Sequence, residues 1–575
     1  MSGISYFYDL LKFVFKQYQM KNYFKASVLA LVVSGISVSA SAQDKSWHLK
    51  DREKDGSFGI SLDKAYDFVK GKKSNTVIVA VIDSGIDTLH EDLKPVLWRN
   101  PKEIPGNGID DDGNGYIDDI HGWNFIGGRD GRNLKEDSYE AARVYHRYKA
   151  QFEKVTDPST LGKEEQELYK MWKKAEKSIV GNSADQMNFM LIRNAYKSAL
   201  AADSTLRKEI GKETFKGSDV ESLSSDKEEV KKAKKRFLAL YHGLGIEMDR
   251  TNKETLEEIG DYVAGEERKA ESAVKVPKNY RAEIVKDNEA DINDRFYGNP
   301  DVMANTPFHG THVSGIIAAA RKNGKGIDGV ADNVKIMSIR AVPDGDEHDK
   351  DVALAIRYAV DNGAKVINMS FGKGFSPEKH WVDDAVKYAE SKGVLLVHAA
   401  GNDASNIDTV DNFPNAMFKA DGKKASNWIT VGASANPKGG DLVAHFSNFG
   451  KDQVDVFAPG HQIYSTIPGG TTYGNASGTS MASPVVAGVA AFILSRYPEL
   501  TPQQVKEVIE KSATKPAGLL VTNPATGEKV PLSEISRTGG VVNAFEAVKL
   551  AESIASRNKP QPLKTKSKVK KSKRG

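Results

Sequence analysis

Short apolar runs rich in Val and Ile, separated by helix-like stretches, constrain the fold more than any other feature of this sequence. The strand-like runs cover residues 77–82, 334–342, 364–369, 394–400, 428–433 and 454–457. The helix-like stretches lie at about 310–321, 351–361, 377–391, 481–497 and 502–511. Because the runs are apolar at consecutive positions, both faces of each strand should be covered. This pattern predicts an α/β fold with a mostly parallel sheet between helix layers, and it places functional residues near the carboxyl ends of strands.

Composition excludes several classes of function. The 575 residues exceed the roughly 100–200 of one domain, so additions to a core domain are expected. The absence of cysteine excludes disulfides, thiolate zinc sites and a cysteine nucleophile. The 81 Lys and Arg nearly balance the 77 Asp and Glu, which argues against a surface built for nucleic acid. No nucleic-acid partner is expected.

The amino-terminal region has the pattern of a secretory signal. Lys21 and Lys25 precede an apolar run at 26–38, and Ala40-Ser41-Ala42 gives the small residues of a cleavage site. We expect residues 1–42 to be a signal peptide, with translation beginning either at Met1 or at Met20. The run is shorter than the roughly 20 apolar residues of a spanning helix, so no stable membrane span is expected after cleavage. The protein should be exported to the periplasm, the cell surface or the medium.

A long interruption at residues 129–300 is rich in Lys and Glu and shows helical apolar spacing, as in Tyr145, Tyr148 and Phe152. A structureless loop of this size inside a compact domain would be unusual. We therefore predict an inserted all-α subdomain at 129–300 between two parts of one domain, 43–128 and 301–555. It is expected to be a lid, a surface for a protein partner, or an addition without a role in specificity. Residues 556–575 predict a solvated basic tail.

Three polar residues lie where strands end or helices begin. Asp83 follows the run at 77–82, His309 opens a helix-like stretch, and Ser480 precedes a long stretch of small residues. Taken singly, these three residues are typical of a turn, a helix residue and an N-cap. Pro484 suits the first turn of the helix that follows Ser480. Together they have the chain order Asp, His, Ser, which is one of the known orders of a catalytic triad.

Four further motifs accompany these residues in order. They are Asn368-Met-Ser-Phe-Gly372, His398-Ala-Ala-Gly-Asn402, Phe446-Ser-Asn-Phe-Gly450 and Val456-Phe-Ala-Pro-Gly460. With them the sequence resembles the subtilisin-like serine proteases, the subtilase family, over about 76–128 and 301–511. The resemblance does not cover the inserted region, which separates Asp83 from His309 by 226 positions.

The resemblance implies a serine endopeptidase that acts through an acyl-enzyme on extended polypeptides. It makes Ser480 the nucleophile, His309 the general base and Asp83 the residue that orients His309, with Asn402 as an oxyanion donor and His312 in a structural role. It implies two backbone edges that bind substrate, formed by Ser370, Phe371 and Gly372 and by Ala399, Ala400 and Gly401. A peptide ligase or cyclase using the same acyl-enzyme, and a non-catalytic binding protein on this scaffold, remain as alternatives.

An acidic loop carries oxygen-bearing residues at alternate positions. Asp110, Asp112, Asn114, the Tyr116 carbonyl and Asp118 match positions one, three, five, seven and nine of an EF-hand loop. Position twelve is His121 instead of Glu, so a complete EF-hand is excluded. The density of hard oxygen ligands favours a structural Ca²⁺ site over a plain acidic turn.

Overall fold

The structure is a computed structural model that describes residues 44–180, 183–244, 246, 248–305, 307–436 and 441–558. The predicted signal peptide with its cleavage point, and residues 559–575 of the predicted tail, lie outside the described residues. The described residues fall into two compact units. Residues 141–278 form one unit, and the residues before 141 and after 278 form the other.

The second unit is built on a seven-stranded sheet in which all neighbouring strands are parallel, in the order β2-β3-β1-β4-β5-β6-β7. The strands are β1 (Val77–Asp83), β2 (Gly122–Asn124), β3 (Val334–Arg340), β4 (Val366–Met369), β5 (Leu395–Ala399), β6 (Trp428–Ser434) and β7 (Val456–Pro459). The predicted α/β fold with a parallel sheet is confirmed.

Helices cover both faces of this sheet. The helices of this unit are α1 (Arg52–Asp55), α2 (Leu62–Phe68), α9 (Tyr280–Ile284), α10 (Phe308–Ala318), α11 (Asp349–Asp361), α12 (Lys379–Ser391), α13 (Thr479–Arg496), α14 (Pro502–Ser512) and α15 (Ala544–Asn558). Alternate residues of β1 point to opposite faces. Val79 and Val81 lie in the apolar cluster of α10 and α13, and Ala80 and Ile82 lie in that of α11 and α12. The central strand is therefore buried on both sides, which explains its continuous apolar run.

Helix α13 runs through the core of this unit. Within the described residues it is the one helix long and apolar enough to cross a membrane, and 89% of its most apolar stretch is buried inside the protein. It packs against β4, β5, β6 and β7. Its small residues allow close contacts with neighbouring segments: a Cβ at Gly488 would lie 2.7 Å from the Cβ of Val330, in the loop before β3.

Two antiparallel hairpins complete this unit. One consists of β8 (Ile463–Ile467) and β9 (Thr472–Ala476), and the other of β10 (Leu520–Thr522) and β11 (Lys529–Pro531). The first hairpin packs on α10. It therefore lies against the helix that carries His309 in its first turn.

The unit formed by residues 141–278 is helical. Its helices are α3 (Glu140–Phe152), α4 (Lys163–Val180), α5 (Ser183–Ile210), α6 (Gly217–Ser222), α7 (Glu228–Leu244) and α8 (Asn252–Ser272). It has its own apolar core, in which Phe215, Phe237 and Tyr241 are buried. Thr251 and Glu254 form a capping box at the start of α8. The predicted insertion at 129–300 is wider than this unit, because residues 129–140 and 279–300 group with the sheet.

Candidate active site

The carboxyl edge of the sheet collects the polar residues that the motifs single out. Asp83 ends β1, Ser370 follows β4, and Ala399 ends β5, and the three strands are parallel neighbours. Glycine at two positions lets α10 approach the turn after β1. Gly85 has φ +118°, and a Cβ at Gly310 would lie 2.2 Å from the Gly85 carbonyl oxygen. The beginning of α10 is thereby held against Asp83.

Asp83 and His309 form a hydrogen-bonded pair. The His309 Nδ1 and the Asp83 Oδ1 are 2.7 Å apart, and Asp83 Oδ1 also accepts from the Ser84 N–H at 2.8 Å. The side chain of Asp83 is buried, and that of His309 is 38% exposed. Burial acts to lower the pKa of His309, but the charge and the hydrogen bond of Asp83 outweigh it and raise that pKa above its ordinary value. The pair can therefore stabilise an imidazolium that is partly exposed to solvent.

Ser480 is the second residue of α13. Its hydroxyl donates to the Ser370 carbonyl at 3.0 Å and is not hydrogen-bonded to His309 in this structure. The sequence suggested that Pro484 lies in the first turn of α13, but it is the sixth helical residue. Because proline has no N–H, the Ser480 carbonyl receives no helical hydrogen bond from it, and the Ser370 hydroxyl donates to that carbonyl at 3.0 Å. These contacts join the helix start to the end of β4.

Asn402 is oriented by Thr479, which the motifs had not singled out. The Asn402 Oδ1 accepts from the Thr479 N–H at 2.9 Å and from the Thr479 hydroxyl at 3.0 Å. The same hydroxyl accepts from the Gly401 N–H at 3.0 Å. With its oxygen occupied, the Asn402 amide presents its NH₂ group as a donor. That group lies beside Gly478, since a Cβ there would be 3.4 Å from it.

The two predicted backbone edges differ in what they offer to a substrate. Gly372 is exposed, whereas Ser370 is buried and Phe371 is half-buried, with its carbonyl 2.8 Å from the His398 Nε2. The backbone N–H and carbonyl of Ala400 already have hydrogen-bond partners within the protein. Its N–H donates to the Val431 carbonyl, and its own carbonyl accepts from Asn412 and Asn448. On the second edge, Ala399 is buried at the end of β5, and the half-exposed residue is Gly401, with φ +100°.

Asn448 is a second residue that sequence reasoning missed. Its Oδ1 accepts from the N–H groups of Asp403 and Ser405, both at 2.9 Å, and its Nδ2 donates to the Ala400 carbonyl at 3.0 Å. The side chain therefore holds the turn that carries Asn402. Its place in the Phe446-Ser-Asn-Phe-Gly motif was the available signal.

His312 lies on α10 and is fully buried. Its Nε2 is 3.2 Å from the Gly474 carbonyl in β9. Burial lowers the pKa of His312 to about 3, so the imidazole is neutral at ordinary pH. Its contacts are those of a residue that joins α10 to the hairpin.

The acidic loop brings together a carboxylate set that differs from the predicted one. Glu103, Asp110 and Asp112 each place a carboxylate oxygen within 4.8 Å of the others. Glu103 is 4% exposed, its Oε1 accepts from the Asp112 N–H at 3.2 Å, and its Oε2 has no hydrogen-bond partner. The Asp118 carboxylate instead accepts from the backbone N–H groups of residues 106–108. The Asn114 Oδ1 accepts from the Tyr116 N–H at 2.7 Å.

The protein belongs to the α/β class, because its parallel sheet is covered by helices on both faces. The polar residues lie at the carboxyl ends of the strands, where open α/β sheets usually bind their ligands. Within that class the chain belongs to the subtilase family, whose model matches residues 74–529. The resemblance seen in the sequence is thus confirmed.

Curated relatives match parts of the chain. A thermophilic serine proteinase of Bacillus sp. (strain AK1) is 42% identical over 211 residues, 36% of this chain and 48% of that protein. Thermitase of Thermoactinomyces vulgaris is 39% identical over 241 residues, 41% of this chain and 79% of thermitase. The cell wall-associated protease of Bacillus subtilis (strain 168) is 37% identical over 225 residues, 39% of this chain and 23% of that protein. The chain spans about half the length of the first of these relatives.

Proposed function

We propose that this protein is a serine endopeptidase that hydrolyses peptide bonds through an acyl-enzyme. The observation that carries the proposal is the Asp83–His309 pair, 2.7 Å apart at the carboxyl edge of the sheet, together with Ser480 in the first turn of α13. Active-site hydrogen bonds often tighten only when substrate binds. Rotation of the Ser480 hydroxyl away from the Ser370 carbonyl would make it available to His309.

In the proposed reaction, the Ser480 oxygen attacks the peptide carbonyl carbon while His309 accepts the hydroxyl proton. The carbonyl oxygen becomes an oxyanion that accepts from the Asn402 NH₂ group and the Ser480 N–H. The latter belongs to the first turn of α13, where N–H groups have no partner within the helix. His309 then gives its proton to the leaving amine, and the C–N bond breaks. Water then attacks the acyl ester in the same way, with His309 again accepting a proton and passing it to the Ser480 oxygen. This step releases the carboxylic acid and free Ser480.

The substrate is proposed to be a polypeptide in extended conformation. Gly372 leaves an exposed backbone after β4, and an added strand there would gain backbone hydrogen bonds without selecting side chains. Export is proposed from the signal-like residues 20–42, and one relative is by name a cell wall-associated protease. Amino-terminal sequencing of the exported protein would test cleavage after Ala42.

We further propose that the acidic loop binds a structural Ca²⁺ through Glu103, Asp110 and Asp112. Carboxylate oxygens are the ligands that Ca²⁺ prefers. The unpartnered Oε2 of buried Glu103 fits this assignment, because a buried carboxylate oxygen without a donor is costly unless a cation or water meets it. The ion would supply charge neutralisation that holds residues 103–112 together.

The helical unit at 141–278 is proposed to limit access of large substrates or to bind a protein partner. This proposal rests on its place in the chain between Asp83 and His309, and on its possession of a separate apolar core.

Hydrolysis of an extended peptide library by the purified protein and by its Ser480→Ala variant tests the proposed reaction. The wild-type protein should release new amino termini, and the variant should release none. Mass analysis of products formed with an added peptide amine separates hydrolysis from ligation. A wild-type protein that joins peptides without releasing acids would replace the endopeptidase proposal with the ligase alternative. Equal peptide cleavage by the wild-type protein and by Ser480→Ala would contradict the proposed reaction.

A further inference from the structure

A buried arginine lies on the strand next to the one that ends in Asp83. Arg340 ends β3, and in the parallel register of β1 and β3 it is the direct neighbour of Asp83. Its side chain is fully buried. Burial lowers the pKa of Arg340 to about 10, which leaves the guanidinium protonated at neutral pH. A cation is thus fixed in the interior behind the turn that carries Asp83.

The guanidinium connects three segments of the chain. Its Nε donates to the Ser84 carbonyl at 2.9 Å, directly after Asp83. Nη1 donates to the Asn124 Oδ1 at 3.2 Å, and Nη2 donates to the Leu134 carbonyl at 2.5 Å, both in the segment that leads toward the helical unit. Nη2 also donates to the Asn305 Oδ1 at 3.3 Å, in the segment that returns from it.

The leading and returning segments are also bonded to each other at this point. Asn124 and Asn299 exchange both backbone hydrogen bonds, at 3.0 and 3.1 Å, and the Asn124 Nδ2 donates to the Asn299 Oδ1 at 3.2 Å. The returning segment contacts the turn after β1 as well. The Ile86 N–H donates to the Val302 carbonyl at 3.0 Å. A Cβ at Gly85 would lie 2.9 Å from that carbonyl, so the two segments approach closely only because residue 85 is glycine.

We propose that Arg340 is a positioning residue for Asp83, and that it makes the geometry of the Asp83–His309 pair depend on how the two segments flanking the helical unit are held. This proposal rests on the proposed endopeptidase function. A planar fork with donors in fixed directions suits a junction of three chain segments better than the single ammonium of lysine. Movement of residues 124–134 or of Asn305 would be transmitted through the Arg340 side chain to the Ser84 carbonyl.

Few charged groups act on His309 and on Arg340. The charge and the hydrogen bond of Asp83 raise the pKa of His309, and Asp301 in the returning segment acts on Arg340 against the effect of burial. His312 on α10 is neutral. A change in the pKa of His309 therefore reports on its contact with Asp83.

Two substitutions test the role of the guanidinium fork. Arg340→Met removes both fork and charge, and Arg340→Lys keeps the charge without the fork. The pKa of His309 is measured by proton NMR titration in the Ser480→Ala background, which needs no turnover and is therefore independent of whether the protein is a peptidase. We expect both substitutions to lower this pKa, because the contact with Asp83 that raises it weakens when the turn after β1 is no longer held. In the protein with Ser480 intact, both should lower kcat about tenfold with little change in KM.

Arg281→Met is the matched control, because Arg281 is also buried but donates to Asp287 and Asp351. It should lower the melting temperature without moving the pKa of His309 or kcat. If Arg340→Met fails to fold, Asn124→Ala removes one acceptor of the fork and should lower kcat several-fold at unchanged KM. Variants at 340 or 124 that lose stability as the control does, with kcat and the His309 pKa unchanged, would show a merely structural arginine and overturn the proposal.

Discussion

At the scale of single residues, the hydroxyl of Thr479 illustrates how a side chain away from the reacting atoms sets one beside them. It accepts from the Gly401 N–H and donates to the Asn402 Oδ1, so the amide of Asn402 has only one way to point. The sequence predicted roles for Asp83, His309, Ser480 and Asn402 because each stands in a recognisable motif. It missed Thr479 because a threonine before a helical serine is indistinguishable from an ordinary capping residue.

Loss of the amide of Asn402 should slow the chemical step. We expect Asn402→Ala to lower kcat by about 10²–10³ with little change in KM, since the oxyanion forms only in the transition state. Thr479→Val should lower kcat about tenfold by freeing the amide to turn, whereas Thr479→Ser keeps the hydroxyl and should remain within about threefold of wild type. Steady-state kinetics on one peptide checks all three variants, and a Thr479→Val enzyme with normal kcat would refute the orienting role.

The pH dependence of activity should reflect the Asp83–His309 pair. Asp83 raises the pKa of His309 above its ordinary 6.5, and only the neutral imidazole accepts the Ser480 proton. The value of kcat/KM should therefore fall as pH falls through a midpoint above 6.5. The stability that the pair contributes runs the opposite way: it is present below 6.5 and is lost as pH rises through the raised pKa. A midpoint at or below 6.5 would show that Asp83 does not set the titration of His309.

At the scale of elements, the sequence predicted the regular structure wherever an apolar run was long. The run at 77–82 became β1, and the stretch at 481–497 became α13 with its start two residues earlier. It did not predict β2 or the hairpin of β8 and β9, since three residues at 122–124 are too few for a pattern and β9 is largely exposed. β2 forms because β3, far along the chain, pairs with it, whereas β8 and β9 pair with each other and pack on α10.

The acidic loop shows what linear spacing leaves out. Alternation from Asp110 predicted Asp118 as a ligand, but the left-handed backbone at Asp118, with φ +56°, turns its carboxylate toward the N–H groups of residues 106–108. Glu103 lies before the alternating stretch and joins Asp110 and Asp112 only in the folded loop. The ligand set proposed from the structure therefore differs from the one predicted from spacing.

Calcium should stabilise the folded protein. An ion bound only by the folded state at 100 times its Kd adds about 2.7 kcal/mol to the free energy of unfolding. Chelator should therefore lower the melting temperature, and this response should disappear in Asp110→Ala plus Asp112→Ala and in Glu103→Gln. Asp118→Asn is the matched control: it should lower the melting temperature but retain the calcium response. A wild-type protein that melts identically with and without calcium would identify the loop as a plain acidic turn.

At the scale of the whole molecule, the helical unit is shorter than the inserted region predicted from composition. Composition changes near residue 129, yet Glu140 is bonded to Lys373 at 2.7 Å and Arg281 to Asp351 at 2.9 Å, both inside the unit that carries the sheet. In the sequence, Glu140 and Arg281 resemble the rest of the charged insertion, because their ion-pair partners lie 233 and 70 positions away. Only the folded contacts place the boundaries at 140 and 279.

Replacement of residues 141–278 by a Gly/Ser linker tests the proposed role of the helical unit. The replacement retains Glu140, Arg281 and all the proposed catalytic residues. We expect kcat/KM on a short peptide to stay within about threefold of wild type, while cleavage of a large folded protein increases more, because a body that restricts access penalises large substrates only. Equal effects on both substrates would contradict the access role, and loss of soluble protein would assign the unit to folding.

Identification of the residue modified by a fluorophosphonate probe would establish whether Ser480 is the nucleophile. Such a probe phosphonylates an activated serine: the serine oxygen attacks phosphorus and fluoride leaves, which requires a base in place and an adjacent oxyanion site. Peptide mapping by mass spectrometry should find the adduct on Ser480 in the wild-type protein, greatly reduced in His309→Ala and absent in Ser480→Ala. An adduct on another serine, or undiminished peptide hydrolysis in Ser480→Ala, would contradict the assignment of Ser480 as the nucleophile of a serine endopeptidase.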